Sequence, residues 1–292
     1  MVRQVTDHKI PESKPYAGPP TQHTFTCGSA LAMPWIADAS VHLVVTSPPY
    51  YRLKQYAGHS AQLDNAETYE DFLGLLDRVW AECFRVLVPG GRLVCNVGDV
   101  CLSRRSADGR HHVLPLHADI SVRARSLGFD YLTPILWNKI ANANFESGES
   151  GGGGFLGKPY EPNAIIKSDL EYLLMLRKPG AYRSPSMAQR ESSRLSKKEQ
   201  ATWFQPIWTD IQGAPPTKEH PAPFPEEIAT RLIRMFSFTE DVVLDPFGGS
   251  GTTSVAAWRA NRHSLYNDVE ISYRNQAEQR LKQEQRQQRW LW

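Results

Sequence analysis

The run Asp241-Val242-Val243-Leu244-Asp245-Pro246-Phe247-Gly248-Gly249-Ser250-Gly251-Thr252-Thr253 restricts the fold of this chain more than any other stretch. It reads as an apolar strand, a glycine turn and a helix start in immediate succession. That succession is the nucleotide-binding half of a doubly wound sheet, where glycines admit a ligand close to the backbone and the N–H groups opening the helix attract a carboxylate or phosphate. The run lacks the lysine of a phosphate-binding P-loop, and Ser254 stands where a dinucleotide fingerprint has its third Gly or Ala. The next strand, Ser264-Leu265-Tyr266-Asn267-Asp268, ends in an acid seventeen positions past Gly251, the usual place for a carboxylate that holds ribose hydroxyls. The expected ligand carries a nucleoside.

A second segment near the front, Val44-Val45-Thr46-Ser47-Pro48-Pro49-Tyr50, reads as a buried strand that stops in a polar, rigid and then aromatic tip. Two prolines fix φ and remove two backbone donors, so the carbonyls around Ser47 and Pro48 are left as acceptors with no ladder to join. Tyr50 adds a π-face beside them. A planar group with an NH₂ edge, pinned by acceptors and stacked on a ring, describes a nucleobase taken out of its helix.

The chain has 292 residues with 41% hydrophobic content, enough for one large α/β core with inserted loops. Strands are expected around 23–27, 41–46, 91–97, 129–137, 170–177 and 242–245, with helices over about 68–87 and 224–236. Such alternation predicts a doubly wound, mostly parallel sheet with helices on both faces, the Rossmann-like architecture. Residues 1–20, with Pro11, Pro15, Pro19 and Pro20, read as an arm. Residues 21–140 form a catalytic half, 141–218 a strand with variable loops, and 219–292 a cofactor half of the same domain. No apolar run reaches membrane-span length and no cleavable signal is visible at the amino end. Cys27, Cys83, Cys95 and Cys101 show no metal-ligand spacing, which predicts buried or incidental thiols, no metal and a reducing cytoplasm.

Two loop stretches interrupt the pattern. Residues 141–168 hold Gly148, Gly151, Gly152, Gly153, Gly154 and Gly157, a recognition loop or a hinge. Residues 179–218 are rich in Ser, Pro and charge, and residues 177–198 carry seven cations (Arg177, Lys178, Arg183, Arg190, Arg194, Lys197, Lys198) against one acid, Glu191, in a protein of net charge +2. Phosphate neutralisation explains such a cluster, and an ordinary solvated loop is the plain alternative.

Together these segments resemble the amino-methylating DNA methyltransferases, specifically the circularly permuted β group in which an SPPY or DPPY motif precedes the cofactor motif. The resemblance spans roughly residues 22–282. It includes Ser40-Val41-His42-Leu43 leading into TSPPY, Phe84 to Leu93, Glu171-Tyr172-Leu173-Leu174-Met175-Leu176-Arg177-Lys178, His220-Pro221-Ala222-Pro223-Phe224-Pro225, and Tyr273, Ala277, Arg280 and Leu281. It implies methyl transfer from S-adenosylmethionine to an exocyclic amine of a base flipped from double-stranded DNA. Ser47, Pro48, Pro49 and Tyr50 would be the catalytic tip, with Ser47 and the Pro48 region accepting from the amine, and Tyr50, helped by Tyr51, stacking on the base.

The same resemblance assigns cofactor contacts to Asp245, Phe247, Gly249, Ser250, Gly251, Thr252, Thr253 and Asp268, with His220, Pro221 and Phe224 closing over the methionine end. Many relatives have Gly-Asp where this chain has Gly28-Ser29; Ser29 would then meet the adenine side without a charge, with Asp99 a further candidate or a turn former. Arg52, Arg183, Arg190, Arg194, Lys197 and Lys198 are the expected DNA-binding cations. TSPPY resembles the N4-cytosine enzymes, the alternatives being N6 of adenine, or an amine or amide of RNA or protein. Ring-carbon methylation is disfavoured, because that chemistry uses a thiolate after proline and none of the four cysteines follows one. The resemblance further implies a prokaryotic, nucleoid-associated cytoplasmic enzyme of a restriction-modification system. It would be a monomer or homodimer, with a cognate restriction endonuclease acting separately.

Overall fold

The computed structural model describes residues 18–51, 63, 66–102, 109–139, 155–156, 165–166, 168–213 and 225–289. In chain order the strands are β1 (His23–Cys27), β2 (Val41–Thr46), β3 (Leu87–Val97), β4 (Val100–Leu102), β5 (His112–Leu114), β6 (Asp130–Asn138), β7 (Phe155–Leu156), β8 (Ile165–Ile166), β9 (Leu170–Arg177), β10 (Ile207–Trp208), β11 (Val242–Asp245) and β12 (His263–Asp268). The helices are α1 (Tyr69–Val86), α2 (Leu116–Ser126), α3 (Met187–Ser192), α4 (Lys197–Trp203), α5 (Glu226–Phe236), α6 (Thr252–Arg259) and α7 (Ile271–Arg289).

Eight strands form one sheet in the order β1-β12-β11-β2-β3-β9-β6-β10. Only β9 runs against its neighbours, pairing antiparallel with β3 and β6. From β2 the chain crosses through α1 to β3 on one side, and from β11 through α6 to β12 on the other. Strand order therefore reverses between β2 and β11, and a crevice opens beyond their carboxyl ends. The linear halves read from the sequence do not map onto the two sides of this crevice. β1 belongs to residues 21–140, yet it pairs with β12 at the sheet edge beyond β11.

Both faces of the sheet are covered. Val44, Leu93, Cys95, Leu174, Leu176 and Leu244 face one core with α1 and α2, while Leu43, Val45, Val94, Leu173, Met175 and Val243 face the other with α5 and α6. A register shift between Val41 and Leu43 puts these two on opposite faces, so the strand keeps its alternation only from Leu43 onward. Helix α1 forms where Thr68 accepts from Asp71 N and Asp71 reciprocates at Thr68 N. Its Phe72, Leu73, Leu76, Val79, Trp80, Cys83 and Val86 make one buried stripe.

The segment expected as a loop, residues 179–218, contains α3 and α4. Ser186 with Gln189, and Ser196 with Glu199, form reciprocal capping boxes at their starts. The glycine tract, apart from β7 and β8, and the arm before residue 18 lie outside the described residues.

Where β2 meets β11, the Val242 N–H donates to His42 Nδ1 at 3.0 Å. Burial, then the nearby Arg183 and His263 charges, holds His42 down at about 4, and burial with His263 does the same for His23. The unfolded chain takes up these protons below about 6.5 while the fold resists them, so stability present above that pH is lost as pH falls toward 4. His42→Gln, which can still accept from Val242, should have a smaller drop in its denaturation midpoint between pH 7 and pH 4.5 than wild type. An unchanged pH slope would remove His42 from this account.

Candidate active site

At the carboxyl end of β2, Thr46 Oγ1 donates to Asp245 Oδ1 at 2.7 Å across the strand reversal. Thr253, in the first turn of α6, donates to Asp245 Oδ2 at 2.7 Å, and the Phe247 N–H donates to Oδ1 at 3.1 Å. Asp245 is thus a bracket holding the two motifs together. Burial pushes its carboxyl up to about 6, against three donors that favour the charged form. The side chain expected in the cofactor turn faces inward and sets the turn's position.

The glycines of the turn answer to internal neighbours. A Cβ on Gly248 would lie 2.1 Å from the Tyr266 ring, whose hydroxyl donates to Gly249 O at 2.8 Å. Gly251 caps α6 at φ +77°, and a Cβ there would lie 2.7 Å from Ala277 Cβ on α7. Arg280, one turn further on, donates to Ser250 O and Thr252 Oγ1, both at 3.1 Å. Ser250 and Thr252 hydroxyls also lie 3.2 Å apart. With Thr252 and Thr253 hydroxyls engaged inside the protein, helix α6 has no side-chain cap. Its first N–H groups remain as the anion-attracting feature.

Asp268, at the end of β12, accepts from Gly249 N and Glu270 N, both at 2.9 Å. Burial raises its pKa, opposed by these backbone donors. Ser29 lies beyond β1 on the same rim, where its hydroxyl accepts from Leu31 N at 3.3 Å. Asn267 Nδ2 donates to Gly28 O at 2.9 Å and ties the β1 end to this group.

On the other side of the reversal, Ser47 is half-buried beyond the last residue of β2 and makes no hydrogen bond to a described residue. Pro48 is buried. The Tyr50 hydroxyl accepts from Gly98 N at 3.0 Å, anchoring the ring beside the end of β3. Tyr51 turns inward: it is 5% exposed, packs on Tyr69 and Phe72, and donates to Glu67 O at 3.2 Å. It is a core residue, unlike the half-buried Tyr50. Asp99, the further candidate or turn former, sits beyond the end of β3. Its carboxylate accepts from His117 Nδ1 at 2.6 Å and His117 N at 3.3 Å at the start of α2, on the β3 side of the tip.

The expected DNA cations that follow Arg177 lie away from the tip. Because β9 runs antiparallel, the chain after Arg177 emerges at the amino-terminal rim, where Gln189 and Ser192 bond Thr239 just before β11. Arg183 is committed to the buried Asp241 and lies 4.9 Å from the Phe238 ring centroid. Arg177 pairs with Asp130, and Lys178 donates to Leu87 O at 2.8 Å. Arg190, Arg194, Lys197 and Lys198 are exposed, with Arg194 paired to Glu191. These four share the rim opposite Ser47 to Tyr50, so the structure does not bring them to the tip. Arg52, His220, Pro221 and Phe224 lie outside the described residues.

A doubly wound sheet with a proline-rich tip and a glycine turn clamped at its strand reversal defines the class of site. The DNA methylase model N6_N4_Mtase matches residues 41–279, and the chain belongs to this family. The Type II methyltransferase M.MjaI of Methanocaldococcus jannaschii is 36% identical over 288 residues, covering 89% of this chain and 91% of that protein. A Thermus thermophilus protein described as a DNA modification methylase, solved with S-adenosyl-L-methionine, is 48% identical with a TM-score of 0.71, covering 91% and 94% of the two chains. The PvuII DNA methyltransferase, cytosine-N4-specific, shares the fold at a TM-score of 0.64 and 18% identity, covering 89% and 86%.

The contact between Gly251 and Ala277 makes a measurable distinction. Gly251→Ala should lower stability by about 1–3 kcal/mol through left-handed strain and overpacking. Adding Ala277→Gly should return the overpacking share while the strain persists. Calorimetric melting of the three proteins checks this; no recovery in the double variant would discount the contact.

Proposed function

We propose that this protein transfers a methyl group from S-adenosylmethionine to the N4 amine of cytosine in double-stranded DNA, as a β-group enzyme whose TSPPY motif precedes DPFGGSGTT. The observation that carries the reading is the Asp245 bracket. It sets a strand tip rich in acceptors beside a glycine turn at one crevice. The relatives' Type II methyltransferase names support a role in restriction-modification; action on nucleoid DNA in a prokaryotic cytoplasm, beside a separately acting endonuclease, completes the proposed reading.

The residues of the turn fit the cofactor. Uncapped N–H groups open α6, suited to a carboxylate, and Asp268 closes β12 with two lone-pair-bearing oxygens, suited to ribose hydroxyls. Bound there, S-adenosylmethionine supplies an activated sulfonium methyl group. The protein's own task is to raise the nucleophilicity of an aromatic amine whose lone pair is delocalised into its ring. The Ser47 hydroxyl and the carbonyls near Pro48 accept the amine N–H groups, favouring a tetrahedral nitrogen and stabilising positive charge as it develops. Tyr50, fixed through Gly98, presents its ring to the flipped base. Positioning then supplies most of the catalysis.

Base identity is read by mass spectrometry of nucleosides digested from DNA methylated by the pure protein, the expected product being N4-methylcytosine. A dominant N6-methyladenine peak would refute cytosine while keeping the lone-pair mechanism. Single-molecule sequencing of DNA from an expressing host should report the sequence context.

The division of labour across the crevice has its own test. Ser47→Ala should lose most activity with S-adenosylmethionine affinity near wild type in calorimetric titration, whereas Asp268→Ala should weaken that affinity about tenfold or more. Equal cofactor affinities in the two variants would break the assignment.

A further inference from the structure

Three side chains extend from the catalytic tip across the sheet, on the face shared with α5 and α6. Thr46 stands beside Cys95 in the β2–β3 pairing, so the next pair along the two strands is Ser47 and Asn96. Across β3, Asn96 Nδ2 donates to Glu171 Oε2 on β9 at 2.7 Å, and Glu171 Oε1 is paired with Lys139 beyond β6. Lys139 also lies 5.4 Å from the Trp137 ring centroid. Asn96 is 4% exposed, and its Oδ1 has no hydrogen-bond partner among the described residues.

A buried amide oxygen left unmatched is costly unless something supplies a donor. Here the chemistry fixes which end of the amide is unmatched. A carboxylate held between the Lys139 ammonium and the Asn96 amide accepts from both, so the amide nitrogen must turn toward β9 and the oxygen away from it. With the amide reversed, the same position would offer a donor.

We propose that Lys139 and Glu171 are positioning residues that lock Asn96 with its oxygen toward the target base, making this part of the pocket accept and not donate. The inference rests on the methyltransferase reading of the Ser47 site. One N–H of the target amine is shared between Ser47 Oγ and Asn96 Oδ1, whereas a base with a carbonyl at that position, uracil in place of cytosine or hypoxanthine in place of adenine, meets oxygen against oxygen. The lock thus serves discrimination of the target amine and is independent of which amine is methylated.

The test uses the full-length protein with S-adenosylhomocysteine and duplexes of the context found by sequencing. One duplex carries the unmethylated target base and the other its carbonyl counterpart. Wild-type activity on the first duplex with S-adenosylmethionine verifies the underlying reading separately. The ratio of the two affinities is then compared between wild type and Glu171→Gln, so the energy of the mispair cancels. Glutamine can donate to Asn96 and release the lock, and the preference for the amine should fall about tenfold or more. Adding Asn96→Asp, which presents an oxygen in either orientation and accepts from the amide of the introduced glutamine, should restore it; Lys139→Met should give a smaller loss in the same direction. An unchanged ratio in Glu171→Gln, or a reduced ratio that Asn96→Asp does not rescue, would overturn the proposal. If Glu171→Gln fails to fold, the Lys139→Met ratio decides alone, and no change there refutes the lock.

Discussion

The arrangement of this site depends on one buried carboxylate. Asp245 receives hydrogen bonds from Thr46 on β2, Thr253 on α6 and the Phe247 N–H of the turn between them. Placing a charge in the interior costs several kcal/mol, and only a full set of donors offsets it. The donors come from segments about two hundred residues apart in the chain. Satisfying the charge therefore fixes the end of β2 against the start of α6. The turn in turn accepts no side chain at Gly248 or Gly251, because Tyr266 and Ala277 occupy that space.

A second constraint is the direction of β9. A parallel strand would have delivered the cationic segment to the same rim as TSPPY. The antiparallel strand delivers it to the opposite rim, where Arg183 and Lys178 serve the fold and α3 and α4 pack against the entrance to β11. The same reversal brings the start of β9 to the catalytic rim, so Glu171 comes to lie beside Asn96.

Much of the fold was legible along the chain because its strands are apolar runs with sharp boundaries. β1, β2, β9 and β11 fall on the expected residues, and α1 and α5 agree within two residues at each end. The helices α3 and α4 were legible as well. Ser-x-x-Gln at 186–189 and Ser-x-x-Glu at 196–199 are capping-box signals, obscured by the surrounding charge and proline. The roles of Asp99 and Tyr51 were not legible, since their partners His117, Tyr69 and Phe72 lie on helices whose approach depends on packing.

By itself, the sequence determined the kind of sheet, the two motifs at its reversal and the chemistry of their side chains, because alternation, glycine turns and paired prolines act through local backbone geometry. Tertiary structure alone decided that Asp245 faces inward, that the cations after Arg177 lie away from the tip, and that Asn96 leaves an oxygen unmatched among the described residues. Each of these depends on which strand lies beside which and in what direction. Strand neighbours are chosen by the burial of two whole faces, a property of the assembled sheet and of no segment within it.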